Sequence, residues 1–202
     1  MEALESDYND LSANLGNPPR DSILVTLYTE QAFFDVTRAP TWAGAINDGK
    51  LRIPVSGLSS MTPDLARVLK HELAHSFITQ LSGGRCPPWL HEGIAQFLEP
   101  KSLGGDGRQL SQLYKAQREI PLNALEGSFQ NFSGSQAYVA YAESLAAVSY
   151  INDSYGMSDV QRILQRISQG SSTEAAMRAT IHSDYGQFET DLAKYLADKY
   201  GD

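Results

Sequence analysis

The sequence predicts an α+β fold, in which a small mixed sheet near the N-terminus precedes a mostly helical C-terminal half. Short apolar runs rich in β-branched residues occur only in the first part of the chain, at residues 23–28 and 51–55. After residue 62, apolar residues recur at helical spacing, and Gly, Pro and Asn separate the helical segments. The chain has 202 residues, 42% of them hydrophobic, which is enough for the core of one domain.

Residues 1–20 form a polar, acidic stretch that ends at Pro18 and Pro19. We expect a short polar helix or a frayed lead-in, followed by a single domain over residues 21–202. The stretch lacks the apolar segment of a signal peptide. No run of about 18 apolar residues occurs elsewhere, so the sequence predicts no membrane-spanning helix.

Two strands and a short helix are predicted between residues 23 and 55. Residues 23–28 form an apolar run typical of a buried strand, and residues 30–36 are expected to be helical. The Asn-Asp-Gly turn at 47–49 precedes a second strand at 51–55. Because Pro54 cannot donate a ladder hydrogen bond, this second strand is expected at the edge of the sheet.

Two helices should follow, joined by a short link. Thr62 and Pro63 are suited to the N-cap and first residue of one helix, and Gly83 ends it. The second helix is expected to begin at Pro88 and to stop before Pro100. Helices joined by so short a link must pack side by side.

The remainder of the chain is predicted to be helical, with loops at 103–107 and 131–135. The expected helices span residues 109–119, 136–155, 158–168, 173–180 and 187–200.

The first of the two joined helices carries the pattern His-Glu-x-x-His at residues 71–75. Histidines four residues apart lie on one face of a helix, where His71 and His75 can hold one metal ion. A catalytic zinc site takes three protein ligands and leaves a position for water. Glu92, in the first turns of the second helix, is well placed as the third ligand, and Gly93 leaves room for close helix contact. Glu72 offers a carboxylate for the attacking water.

A His-Glu-x-x-His helix followed by a helix with Trp-Leu-x-Glu-Gly-x-Ala resembles the gluzincin metallopeptidases, in particular the bacterial peptidase MA-like domains. The likeness extends over about residues 20–200. Its outer parts are residues 23–29, Phe33, 42–44, 49–54, 120–122, Leu125, Phe129, 140–144, 155–156 and Phe188. The resemblance implies zinc-dependent hydrolysis of a peptide or protein substrate, and it favours an extracytoplasmic location.

If the metal is bound, Glu72 is expected to be the general base. Related gluzincins also use a tyrosine or histidine from the C-terminal half to stabilise the oxyanion. Tyr141 and Tyr138, three residues apart on the long helix, are the candidates here, and Tyr141 fits the Tyr-Ala-Glu-Ser part of the resemblance. Either ring can instead be a core residue whose hydroxyl binds backbone.

Four other residues, in or after the motif helices, have side chains that can bind metal or form hydrogen bonds. His91 is expected to be mostly solvated, and His182 has no evident partners. Cys86, the one cysteine, is interpreted as a small turn residue in preference to a metal ligand. Gln96 is either a hydrogen-bond acceptor that fixes the tautomer of a ligand histidine or an ordinary polar helix residue.

The net charge of −8 and the absence of a basic stripe argue against a nucleic-acid partner. The leading hypothesis is a zinc metallopeptidase with one Zn²⁺ per chain, in which a peptide adds alongside the edge strand at 51–55, above the motif helix. The alternative is a non-catalytic zinc-containing interaction module, such as one within a larger helical-repeat protein. A third possibility is a metal-free helical domain with a chance motif. The substrate and the oligomeric state stay open.

Overall fold

The computed structural model describes residues 2–39, 44–55, 61–129 and 132–201. The helices in these ranges are α1 (Glu2–Leu15), α2 (Glu30–Thr37), α3 (Pro63–Ser82), α4 (Pro88–Leu98), α5 (Gly104–Lys115), α6 (Gly134–Tyr155), α7 (Met157–Ser168), α8 (Thr173–Ile181) and α9 (Tyr185–Tyr200). The strands are β1 (Val25–Tyr28), β2 (Ile46–Asn47) and β3 (Leu51–Pro54), and a 3₁₀ turn spans Ala124–Glu126. The predicted α+β class is therefore confirmed. Trp42, Ala43 and Asn131, which entered the sequence argument, lie outside the described residues.

The sheet is mixed, with strand order β1-β3-β2 among the described residues. β3 pairs in parallel with β1 and antiparallel with β2. The prediction that β3 is an edge strand is therefore wrong, and β2 is the edge strand that lies over α3. The backbone N–H of Leu51 donates to the carbonyl of Leu24, just before β1, and that of Val55 donates to the carbonyl of Tyr28 in β1. The residues that alternate with them on β3 therefore direct their backbone nitrogens towards β2. Because pairing with β2 ends at Arg52, Pro54 interrupts no hydrogen bond of the described ladder.

The expectation that the first strand is buried is also wrong. β1 lies at the opposite edge of the sheet, and the side chain of Leu27 is 61% exposed. An apolar run cannot by itself distinguish a strand buried on both faces from an edge strand that is covered on one.

The two motif helices form as predicted because both ends of α3 are set locally. The Thr62 side chain accepts a hydrogen bond from the Leu65 N–H, and Gly83 ends the helix with a left-handed φ of 60°. α4 begins at Pro88, after a link that is short enough to hold it against α3.

The core surrounds α4, which packs against α3 on one side and α6 on the other. Trp89, Leu90 and Ile94 are fully buried on α4. Of the two alternatives for the first twenty residues, the structure has a helix: α1 packs against α3 and α7 and buries Leu11 and Leu15. No helix in the described ranges is long and apolar enough to cross a bilayer.

The predicted loop at residues 103–107 is mostly helix, because α5 begins at Gly104. A Cβ atom on Gly107 would lie 2.6 Å from the ring of Tyr200 on α9. The glycine is therefore needed for close approach of two helices, where the sequence suggested a turn.

Candidate metal centre

Two imidazoles and one carboxylate converge where α3 and α4 pack together. His71 and His75 lie one turn apart on α3, and each turns its Nε2 atom towards Glu92 on α4. The Nε2 atom of His71 is 3.5 Å from Oε2 of Glu92, and the Nε2 atom of His75 is 3.8 Å from Oε1. The ligand atoms of a tetrahedral zinc ion, each about 2.0–2.2 Å from the metal, lie about 3.3–3.6 Å apart. The three side chains therefore supply the donor set of a zinc site. The His71–Glu92 distance falls within this spacing, and the His75–Glu92 distance, to the other carboxylate oxygen, is slightly longer.

The electrostatics of this cluster favour a cation. Burial alone would raise the pKa of Glu92, but the surrounding imidazoles lower it to about 2. Burial would lower the pKa of His71, yet Glu92 and Glu99 together raise it to about 10. The carboxylate of Glu92 therefore stays ionised beside a proton on His71, and a metal ion bound at Nε2 would take the place of that proton.

Glu99 is a second acidic partner, which the sequence argument missed. Its Oε2 atom lies 3.2 Å from Nδ1 of His71, the ring nitrogen that faces away from Glu92. The Nδ1 atom of His71 is buried and makes no aligned hydrogen bond among the described residues, so the contact with Glu99 is one of distance and charge. With an aligned N–H, a carboxylate at this distance orients a ligand histidine and selects its tautomer. The available signal was spacing, because Glu99 follows Glu92 by seven residues and so returns to the same face of the helix.

Gln96 does not accept from either histidine, so the acceptor alternative is wrong. Gln96 is only 2% exposed. Its Nε2 atom donates to the backbone oxygen of Tyr141 at 2.9 Å and to that of Glu92 at 3.3 Å. Gln96 therefore ties the turn of α4 that carries Glu92 to α6. The Nδ1 atoms of His71 and His75 are both buried with no hydrogen-bond partner among the described residues.

Glu72 lies beside the two histidines and is only 7% exposed. Its carboxylate and ring nitrogens of His71 and His75 lie within 4.8 Å of one another. Burial raises the pKa of Glu72 to about 7. The backbone oxygen of the same residue accepts a hydrogen bond of 2.8 Å from the side chain of Asn47, so β2 holds this turn of α3 directly.

A cavity of about 810 Å³ opens onto the cluster. The edge strand β2 lines one wall of it, and Tyr141 and Phe129 line another. The ring of Tyr141 packs edge-on against Phe129, with centroids 5.6 Å apart. Burial, with the nearby Glu92 and Glu72, raises the pKa of Tyr141, so its hydroxyl remains a hydrogen-bond donor at neutral pH.

The structure brings Tyr141 to the cavity and leaves Tyr138 outside it. Tyr138 is 50% exposed, and its hydroxyl donates to the carboxylate of Asp106 on α5. Although the two tyrosines are three residues apart on α6, the side chain of Tyr138 leans towards α5.

His91 is not mostly solvated, which corrects the sequence-based expectation. Its ring stacks on His75 with centroids 4.5 Å apart and planes inclined by 4°, and it lines the cavity. Its Nε2 atom is 3.4 Å from the hydroxyl of Thr79. Cys86 also lines the cavity from the link before α4, and burial raises the pKa of its thiol well above the ordinary value. A protonated thiol is a poor metal ligand, in agreement with its interpretation as a turn residue.

The family model described as the peptidase MA superfamily matches residues 8–198, a range that includes both motif helices and most of the chain. Searches of curated proteins and of solved structures found no match.

Proposed function

Because this chain belongs to the peptidase MA superfamily, we propose that it is a zinc-dependent peptidase with His71, His75 and Glu92 as metal ligands. The observation that carries the proposal is the convergence of two Nε2 atoms on one carboxylate at the floor of an open cavity. The location is proposed to be extracytoplasmic, as the resemblance to bacterial domains favours.

A bound zinc ion would supply Lewis acidity and make water a nucleophile near neutral pH. Glu72 takes the proton of the attacking water and passes it to the leaving nitrogen. Its position beside the histidines and its pKa of about 7 suit a group that must accept and then release a proton. The hydroxyl group of Tyr141 donates a hydrogen bond to the oxyanion.

The peptide is proposed to lie along β2. The sequence had suggested the strand at 51–55, which is β3 in the structure. Residues 44–47 line the cavity, and one side of β2 pairs with β3, so its other side faces the open groove. An extended peptide can add there as a further strand. Asn47 holds β2 against α3, which keeps this edge in register with Glu72.

Metal analysis tests the proposal directly. We expect the purified chain to bind about one zinc ion. Removal of zinc with a chelator should abolish peptide hydrolysis, and addition of zinc should restore it. His75→Ala should lose both the metal and the activity. His182→Asn is the matched control, since His182 caps α8 with a left-handed φ that asparagine tolerates. A wild-type chain that neither binds zinc nor cleaves peptides would refute the proposal.

Glu99→Gln should weaken zinc binding without abolishing it. The amide keeps the shape of the side chain but removes the charge beside Nδ1 of His71, and loss of such an outer partner costs about 10–100-fold in metal affinity. Competition with a chromophoric chelator measures the change. An unaltered zinc affinity would show that Glu99 does not orient His71.

A further inference from the structure

Lys101 is the one Lys or Arg side chain among the described residues that line the cavity. The acidic side chains that line the cavity are those of Glu72, Glu92 and Glu99, and all three lie beside the histidines. Beyond the proposed metal and its histidines, Lys101 is therefore the cationic group of the described lining that can attract a negatively charged part of a substrate.

Lys101 is an exposed residue whose ammonium group is hydrogen-bonded to a buried side chain. Its Nζ atom donates to Oε1 of Gln96 at 3.0 Å, and the backbone N–H of Lys101 donates to the backbone oxygen of Gln96 at 3.2 Å. Gln96 in turn donates to the backbone oxygens of Glu92 and Tyr141. The cation is thus fixed, through one buried side chain, to a metal-ligand turn and to the turn of the proposed oxyanion donor.

Lys101 has hydrogen-bonding capacity to spare. An ammonium group has three donors, and Gln96 takes one. Across the described ranges, no carboxylate lies within ion-pair distance of Lys101. The nearby acids have other partners, because Glu92 faces the two histidines and Glu99 faces His71.

We propose that Lys101 binds a carboxylate of the substrate, so that the cavity selects peptides with a negatively charged group near the cleaved bond. This inference rests on the proposed peptidase function. The carboxylate belongs either to the C-terminus of the peptide, which would make the protein a carboxypeptidase, or to an Asp or Glu side chain.

The test uses the zinc-loaded chain and mixtures of N-acetylated pentapeptides. One mixture has a free C-terminal carboxylate, one is amidated and contains Asp and Glu, and one is amidated and neutral. We expect one of the two anionic mixtures to be cleaved with a kcat/KM at least about tenfold above the neutral mixture, the range of one charge-assisted hydrogen bond. Which of the two is preferred identifies the source of the carboxylate.

Lys101→Met should abolish this preference, and Lys101→Arg should retain it. The matched control is Lys115→Met, because Lys115 ends α5 outside the cavity and its removal should change nothing. If Lys101 served only to hold Gln96, Lys101→Met would slow the cleavage of all mixtures equally. That result, or equal cleavage of all mixtures by the wild type, would overturn the inference.

Calorimetric binding of the same peptides separates this inference from the peptidase proposal. If the zinc-loaded wild type cleaves nothing, the peptidase proposal fails. Tighter binding of anionic than of neutral peptides, lost in Lys101→Met, would still support the carboxylate site. Binding with no such preference would refute it.

Discussion

Glu72→Gln is expected to bind zinc as the wild type does and to lose peptide hydrolysis almost completely. Glutamine has nearly the same shape but cannot accept the proton of the attacking water. General-base catalysis typically accelerates a reaction by about 10²–10⁴-fold, so kcat should fall at least about 10²-fold. Zinc content by atomic emission and initial rates with a fluorogenic peptide mixture, on the same samples, measure the two properties.

The control is Glu5→Gln, which makes the same chemical change on an exposed position of α1. Full activity of Glu72→Gln with zinc present would place the base elsewhere. Loss of zinc would indicate instead that Glu72 is a ligand, an arrangement that its closeness to both histidines would permit. A wild type that binds zinc and is as inactive as Glu72→Gln would favour the non-catalytic interaction module.

The motif helices could be predicted from sequence because local chemistry sets their ends. The Thr62 hydroxyl, the left-handed Gly83 and Pro88 act within a turn of their own position. The convergence of Glu92 on the histidines followed from one further constraint, the short link, which leaves two helices no alternative to packing side by side.

Contacts set by tertiary packing could not be predicted in the same way. The stacking of His91 on His75 depends on how α4 is rotated against α3, which residue spacing alone does not determine. The central place of β3 depends on β2, a strand of two residues without a detectable alternation of its own. Helical periodicity did not separate Tyr138 from Tyr141. The resemblance favoured Tyr141, and the contact of Tyr138 with α5 became evident only in the structure.

Gly93→Ala should destabilise the protein strongly, because Gly93 lies where α4 meets α6. A Cβ atom there would be 2.3 Å from the backbone oxygen of Ser144 and 2.7 Å from Cγ2 of Val148. The first of these contacts involves helix backbone, so no side-chain rotation can relieve it. Overpacking typically costs about 1–3 kcal/mol and occasionally more, against a gain in helix propensity of about 1 kcal/mol. We expect the free energy of unfolding to fall by about 2 kcal/mol or more.

Gly105→Ala provides the matched comparison, since Gly105 is also helical and a Cβ atom there would meet nothing within 4 Å. This variant should be neutral or stabilised by up to about 1 kcal/mol.

Urea unfolding with a chelator present measures packing alone. Repeating it with zinc shows whether moving α4 also displaces Glu92, in which case zinc should stabilise Gly93→Ala less than the wild type. Equal stability of Gly93→Ala and the wild type would mean that α4 and α6 are not in backbone contact at this point, and Glu92 would then lack its support from α6.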